Sequence, residues 1–131
     1  MIVLDASVVV ELLTNSSLAE AIRSELAGRD ETLLVPHLID VEVVSALRRM
    51  AATHRIDAHR AAQFLEGLAG LPAERYGHTF LIDRMWELRA KFTAYDAAYI
   101  ALAEATNSVL FTCDEKLRKG HRAQVVVFAD L

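Results

Sequence analysis

Residues 1–10 read Met-Ile-Val-Leu-Asp-Ala-Ser-Val-Val-Val, a short apolar run that meets a carboxylate at Asp5. Ile2–Leu4 contains no polar alternation, and similar short runs occur at residues 33–35, 109–111 and 125–128. Uninterrupted apolar runs of this length are typical of strands that are covered on both faces, as in a parallel sheet. The opening segment therefore predicts the first buried strand of an α/β protein.

Helical stretches are predicted between these runs, at about residues 16–28, 38–54, 58–68, 79–92 and 95–106. Strands that alternate with helices predict an α/β fold with a layered, mostly parallel sheet. Within 131 residues we find no internal repeat, low-complexity segment or linker, so we expect one domain over residues 1–131.

Composition excludes several classes of protein. Hydrophobic residues make up 53% of the chain, which excludes a disordered or fibrous protein. A formal net charge of -4 is not typical of a protein that coats nucleic acid nonspecifically. The lone Cys113 cannot form an internal disulfide. Because no signal peptide is evident and no apolar run approaches the ~20 residues of a membrane span, we expect a cytoplasmic protein without a membrane segment.

Two carboxylates follow predicted strands directly. Asp5 comes after the first strand, and Asp114 comes just after the run at 109–111. Ligands of open α/β sheets bind beyond the carboxyl ends of the strands, so these two acids are candidates for one shared crevice. Taken singly, each is better explained as the cap of a following helix.

Two more acids lie on predicted helices. Asp96 follows Thr93 by three residues, which matches a capping box at the start of a nearly all-apolar helix. Glu42 falls at the edge of the apolar side of the second helix, where a boundary residue is the ordinary interpretation. Together, however, crowded carboxylates repel one another unless a cation binds them, and Mg²⁺ prefers oxygen ligands.

Four segments in this order resemble the motifs of the PIN-domain family, specifically the VapC-type toxins of bacterial toxin–antitoxin pairs. They are residues 1–10, 35–49 with Glu42, 95–103 from Tyr95-Asp96 to Ala103, and 110–117 with Asp114. The third is the most specific, and the resemblance covers essentially the whole chain. Position 117 is Leu, where some members carry a further acid.

The resemblance implies a three-layer α/β/α PIN-like domain and an endoribonuclease that depends on Mg²⁺, with Mn²⁺ as a substitute. It places the catalytic acids at Asp5, Glu42, Asp96 and Asp114. It also implies a homodimer that is neutralised by a VapB-type antitoxin protein.

The mechanism follows as a hypothesis. Asp5 and Asp96 are expected to hold the metal directly, and Asp114 is expected to act as a ligand or through a bridging water. Glu42 is expected either to orient the attacking water or to help to hold a second ion. Ser7 and Thr112 are expected to hydrogen-bond either to a carboxylate or to the scissile phosphate. Because water attacks rather than the ribose 2′-hydroxyl, the products carry 5′-phosphate and 3′-hydroxyl ends.

Basic residues follow Asp114 closely, and Lys116 and Lys119 are the candidates for holding the RNA backbone. A solvated helix and turn explains the same segment equally well. Residues 80, 81, 85, 88 and 92 have helical spacing and predict a core-facing helix.

Other classes fit less well. A phosphorylation receiver expects paired acids after the first strand, and a haloacid-dehalogenase-like phosphatase expects Asp-x-Asp there, but Asp5-Ala6-Ser7 offers neither. The remaining alternative is a catalytically silent PIN scaffold that binds protein or RNA.

Overall fold

Five short strands form one sheet in the order β3-β2-β1-β4-β5, and every neighbouring pair is parallel. The structure, a computed structural model, describes residues 1–130. The strands are β1 (Ile2–Leu4), β2 (Leu33–Pro36), β3 (Ala73–Tyr76), β4 (Val109–Thr112) and β5 (Gln124–Val127). The expected parallel sheet is therefore confirmed, and it is parallel throughout.

Six α-helices connect and cover these strands. They are α1 (Ala6–Thr14), α2 (Ala19–Arg29), α3 (Leu38–Ala52), α4 (Ala58–Ala69), α5 (Ile82–Glu87) and α6 (Ala94–Ala105). Helix α6 packs on β1, β2 and β4 with α5 against it, while α1 packs with α2, α3 and α4 in the other helical layer. The result is the three-layer α/β/α arrangement that the sequence predicted.

The central strands align the residues that matter for function. In the β1–β4 register Leu4 lies opposite Phe111, so the chain leaves both strands at the same edge of the sheet. Asp5 follows β1 there and Asp114 follows β4. Parallel pairing thus brings together two acids that are more than a hundred residues apart in sequence.

Helix α6 explains how a third acid is held at this edge. Every residue from Ala97 to Ala103 is buried, because the helix lies between the sheet and α5. Its first turn carries Asp96, whose position is fixed by the packing of the turns that follow. The buried helix predicted from the apolar sequence is confirmed.

Three features differ from the sequence prediction. Residues 6–14 form α1 and residues 73–76 form β3, neither of which was expected. The helix predicted over 79–92 is only a 3-10 turn (Thr79–Leu81) followed by the six residues of α5. Phe80, expected in the core, is 61% exposed. Leu117 lies in a second 3-10 turn (Glu115–Arg118) and is buried in the core.

A helix that spans a membrane must be both long, at ~20 residues, and predominantly apolar. Within residues 1–130, no helix combines the length and the apolar character of a membrane span.

Candidate active site

Asp5 is the most buried acid at the carboxyl edge of the sheet. Its side chain is fixed by two hydroxyls, since Thr112 Oγ1 donates to Oδ2 at 2.6 Å and Ser7 Oγ donates to the same oxygen at 3.0 Å. Asp5 occupies the N-cap position of α1, yet its carboxylate makes no capping hydrogen bond. The capping explanation of Asp5 is therefore wrong, and the carboxylate faces the edge of the sheet instead.

Thr112 and Ser7 also tie neighbouring backbone to this carboxylate. Thr112 Oγ1 accepts from the Asp114 N–H at 3.0 Å, and Ser7 Oγ accepts from the Cys113 N–H at 3.0 Å. Both hydroxyls thus satisfy the first of their two expected roles, hydrogen bonding to a carboxylate. Their contact with a scissile phosphate stays a prediction.

Asp114 serves partly as a cap. Its Oδ1 accepts from the Lys116 N–H at 2.9 Å and so begins the 3-10 turn that follows β4. Capping of the following helix, which the structure does not show for Asp5, is confirmed for Asp114. Its charge nevertheless reaches the site, because it raises the pKa values of both Asp5 and Asp96.

Asp96 enters from the first turn of α6. Thr93 Oγ1 accepts from the Asp96 N–H at 3.1 Å, which caps the helix and leaves the Asp96 carboxylate beside Asp5 and Asp114. Burial raises the pKa of Asp96 above its ordinary value, and the charges of these two acids raise it further.

Glu42 approaches from α3 and is half-buried. Burial raises its pKa, and the negative charges of Asp5 and Asp96 raise it further. Its Oε1 is buried without a hydrogen-bond partner in residues 1–130. The structure therefore brings all four predicted acids to one edge of the sheet, although it does not by itself test their roles.

The electrostatics of this cluster are unbalanced. None of the four acids forms a salt bridge in the described part of the chain. Burial raises the pKa of Asp5 despite the hydrogen bonds from Thr112 and Ser7 that oppose the shift. Carboxylates that are crowded and unpaired in this way are stabilised by a bound cation.

The donor set fits a hard divalent cation, because every group offered is a carboxylate oxygen. The unpartnered Glu42 Oε1 and the repulsion among the acids point in the same direction. However, across residues 1–130 no three His, Cys, Asp or Glu side chains already meet in the geometry of a metal site.

The basic segment after β4 divides into paired and unpaired residues. Arg118 bonds to Glu115 at 2.6 Å, and Arg122 bonds to Glu104. Lys116 and Lys119 are exposed and form no salt bridge with any described residue. The positive charge of Lys116 lowers the pKa of Asp96, which places it beside the cluster.

Sequence reasoning missed one residue of the site. Tyr99 lies one helical turn after Asp96, is 1% exposed and has its hydroxyl near the Glu42 carboxylate. A signal was available, because a phenol in an otherwise aliphatic buried helix needs a polar partner.

Comparison with known proteins identifies the class. The family described as PIN domain matches residues 2–122. The chain belongs to the PIN-domain family, which confirms the resemblance read from its four motifs.

Named relatives narrow the class further. The chain is 43% identical over 124 residues to "Ribonuclease VapC9" of Mycobacterium tuberculosis, covering 95% of this chain and 94% of that protein. It is 36% identical over 131 residues to "Ribonuclease VapC12" of the same species, covering 98% and 100%. A solved structure described as a toxin-antitoxin complex from Klebsiella pneumoniae shares the fold, with a TM-score of 0.70, 18% identity and coverage of 96% of both chains.

Proposed function

We propose that this protein is a metal-dependent endoribonuclease and the toxin of a VapBC-type toxin–antitoxin pair, formed by a single PIN domain over residues 1–131. The observation that carries the proposal is the cluster of Asp5, Glu42, Asp96 and Asp114, four acids that form no salt bridge within residues 1–130, in a chain 43% identical to a VapC ribonuclease. The proposed reaction is hydrolysis of an RNA phosphodiester bond to give 5′-phosphate and 3′-hydroxyl ends.

The ribonucleases of this family depend on a divalent metal, and we propose Mg²⁺ here, with Mn²⁺ as a substitute. Asp5, Asp96 and Asp114 would hold it. When bound, such a cation screens the phosphate charge and makes water a stronger nucleophile at neutral pH.

The residues of the chain have distinct tasks in this proposal. Thr112 and Ser7 keep Asp5 in one orientation by donating to its Oδ2. Glu42, whose pKa is raised by burial, orients the attacking water and accepts its proton. Since the basic form is needed for this step, the rate should rise with pH as Glu42 ionises.

RNA binding is assigned to Lys116 and Lys119, two exposed cations that form no salt bridge with any described residue. Reversing both charges should weaken RNA binding and lower the slope of its salt dependence by roughly 0.7 for each phosphate that is no longer neutralised. Arg60→Glu is the control for each single reversal, Lys116→Glu and Lys119→Glu, because it makes the same change of charge on α4, which carries none of the site acids. A single reversal whose salt slope equals that of Arg60→Glu would contradict the assignment.

The proposed partners are an RNA substrate, a VapB-type antitoxin and a second copy of the chain. The antitoxin rests on the likeness to the Klebsiella toxin–antitoxin complex, and the homodimer rests on the family alone. We place the activity in the cytoplasm, where its substrate RNA is found. A catalytically silent PIN scaffold is the competing function, and the following experiment separates the two.

The test incubates end-labelled total RNA with the purified protein in Mg²⁺, Mn²⁺ or chelator. Asp5→Ala and Asp96→Ala are compared with Asp83→Ala, which removes an exposed carboxylate on α5 outside the cluster. We expect discrete, metal-dependent cleavage that both site variants lose and the Asp83 variant keeps. Cleavage that survives both site variants, or products with 2′,3′-cyclic phosphate ends, would overturn the proposal.

A further inference from the structure

Tyr99 is a buried polar residue that the proposed mechanism leaves without a task. It lies on α6 one turn after Asp96, and its whole side chain is 1% exposed. Within residues 1–130 its hydroxyl makes no hydrogen bond of ordinary length and angle. A phenol that only fills space would be better replaced by phenylalanine, because an unpaired buried O–H is unfavourable.

Glu42 presents a complementary atom. Its Oε1 is also fully buried and also makes no ordinary hydrogen bond to any described residue. The two groups face each other closely enough that hydrogen bonding between them lowers the pKa of Glu42 and raises that of Tyr99.

The two oxygens of Glu42 are not equivalent. Oε1 is fully buried although the glutamate as a whole is only half-buried, so Oε2 is the more accessible of the two oxygens. Fixing Oε1 therefore fixes the direction in which Oε2 points. Without such a restraint, a glutamate with no other hydrogen bond would be free to rotate among several conformations.

We propose that Tyr99 is a positioning residue, whose O–H donates to Oε1 of Glu42 and holds Oε2 toward the substrate. The inference rests on the proposed function for its catalytic consequence, but the pairing of Tyr99 with Glu42 can be tested without it. Tyr99 does not touch the substrate in this arrangement. It acts through Glu42 alone.

Tyr99→Phe removes one oxygen and keeps the buried ring. We expect kcat to fall roughly tenfold with KM within about twofold, the effect of losing one hydrogen bond to a charged group. Tyr76→Phe is the matched control, because the Tyr76 hydroxyl donates to the exposed Glu74 at 3.0 Å on β3. In the Glu42→Gln background, Tyr99→Phe should cost no further activity. Equal activity of the two Phe variants, or effects that multiply in the double variant, would overturn the proposal.

A second measurement does not require nuclease activity. The unfolding equilibrium constants of wild type, Tyr99→Phe, Glu42→Leu, which removes the acceptor, and the double variant form a double-mutant cycle. We expect the double variant to differ roughly tenfold from the product of the single effects, the coupling of one charge-assisted hydrogen bond. Strong coupling in a protein that cuts no RNA would overturn the proposed function and support the Tyr99–Glu42 hydrogen bond. Independent effects in an active nuclease would overturn that hydrogen bond alone.

Discussion

Helix α6 carries one carboxylate at each end, and the two have opposite electrostatic environments. Asp96 lies in the first turn, where the helix dipole favours a negative charge, and Glu104 lies in the last turn, where the dipole opposes it. The observed pKa values are the opposite of what the dipole alone would produce. Burial raises the pKa of Asp96, and the pKa of Glu104 is lowered to about 2. The neighbouring side chains, and not the helix, decide the result.

The neighbours of Glu104 explain its environment. Burial alone would raise the pKa of Glu104, but Arg84 Nε donates to Oε1 at 2.7 Å and the Arg122 N–H donates to Oε2 at 2.8 Å. Asp96 instead faces Asp5 and Asp114. One end of the helix therefore holds a neutralised carboxylate that stabilises the fold, and the other holds an unpaired group available to a ligand.

A cleft at the C-terminal end of α6 shows that cavity volume alone does not locate the acid cluster. This cleft of about 720 Å³ is lined by Arg84, Glu104 and Arg122, and it lies away from the four clustered acids. Its charged groups already satisfy one another. In this molecule the candidate site is distinguished by carboxylates without salt bridges, whereas the cleft is distinguished only by its volume.

The largest expected effect is on the response to a divalent cation. Saturating wild type with Mg²⁺ or Mn²⁺ at about a hundred times the dissociation constant should raise the free energy of unfolding by about 2.7 kcal/mol. Asp5→Asn should lose this increase and, without metal, should be more stable than wild type, because a buried negative charge is removed. Denaturant unfolding measures both.

The control for that experiment lies at the other end of α6. Glu104→Gln should keep the full metal-dependent increase, since it alters only the neutralised end. A metal response that is also lost in Glu104→Gln would contradict the division of α6 into a ligand-binding end and a structural end.

A smaller effect is expected from the loss of the Glu104 charge itself. Glu104→Gln should lower the free energy of unfolding by about 2 kcal/mol, because the Glu104 side chain is 7% exposed and its removal leaves Arg84 half-paired. Glu87→Gln is the matched variant, since Glu87 pairs with the same arginine at 3.6 Å but is 61% exposed. It should cost no more than about 0.5 kcal/mol. Equal losses would show that burial does not distinguish the two pairs.

The smallest effect is a pH dependence of stability that has opposite signs for Asp5, in the acid cluster near the start of α6, and for Glu104, in the last turn of α6. A carboxyl with a raised folded pKa loses stability as pH rises above its unfolded pKa, so Asp5→Asn should gain on wild type as pH rises above about 4. Glu104, with a lowered folded pKa, contributes fully above about 4.5 and loses its contribution as pH falls toward 2. The difference between wild type and Glu104→Gln should therefore shrink in that range.

Denaturant unfolding of the three proteins between pH 2 and 7 measures these slopes. Parallel curves for wild type and both variants would contradict the assigned pKa directions.

The parts of the fold that sequence could predict were those in which burial determines composition. The strands at Ile2–Leu4 and Val109–Thr112 and the buried helix α6 all have continuous apolar runs. Helix α1 was missed because three consecutive valines, Val8 to Val10, have low helix propensity, which packing against the sheet and α3 overrides. Strand β3 was missed because Ala73–Tyr76, at the edge of the sheet, has no apolar run.

The site was predictable to a similar extent. Asp5 and Asp114 after strands and Asp96 in a first turn could be named as candidates from their positions, since parallel strands end at one edge, whereas Glu42 was named only through the family resemblance. Which of them act as caps could not be predicted, because Asp5 and Asp114 both occupy N-cap positions and only Asp114 makes the capping bond. The proximity of Tyr99 to Glu42 could not be predicted either. Its approach to Glu42 is a tertiary relation between α6 and α3, which no local pattern encodes.

The hydrogen bond from Thr112 to Asp5 also has a consequence for the synthesis of the protein. The ribosome makes Asp5 and Glu42 early. The hydroxyl that fixes Asp5 belongs to Thr112, which lies 107 positions later in β4, one of the two strands that pair with β1. Asp96 and Asp114 are also translated in the last third of the chain. The four acids therefore cannot come together on a nascent chain before Asp114 has been translated, so a chain that stops short of residue 114 lacks the complete cluster.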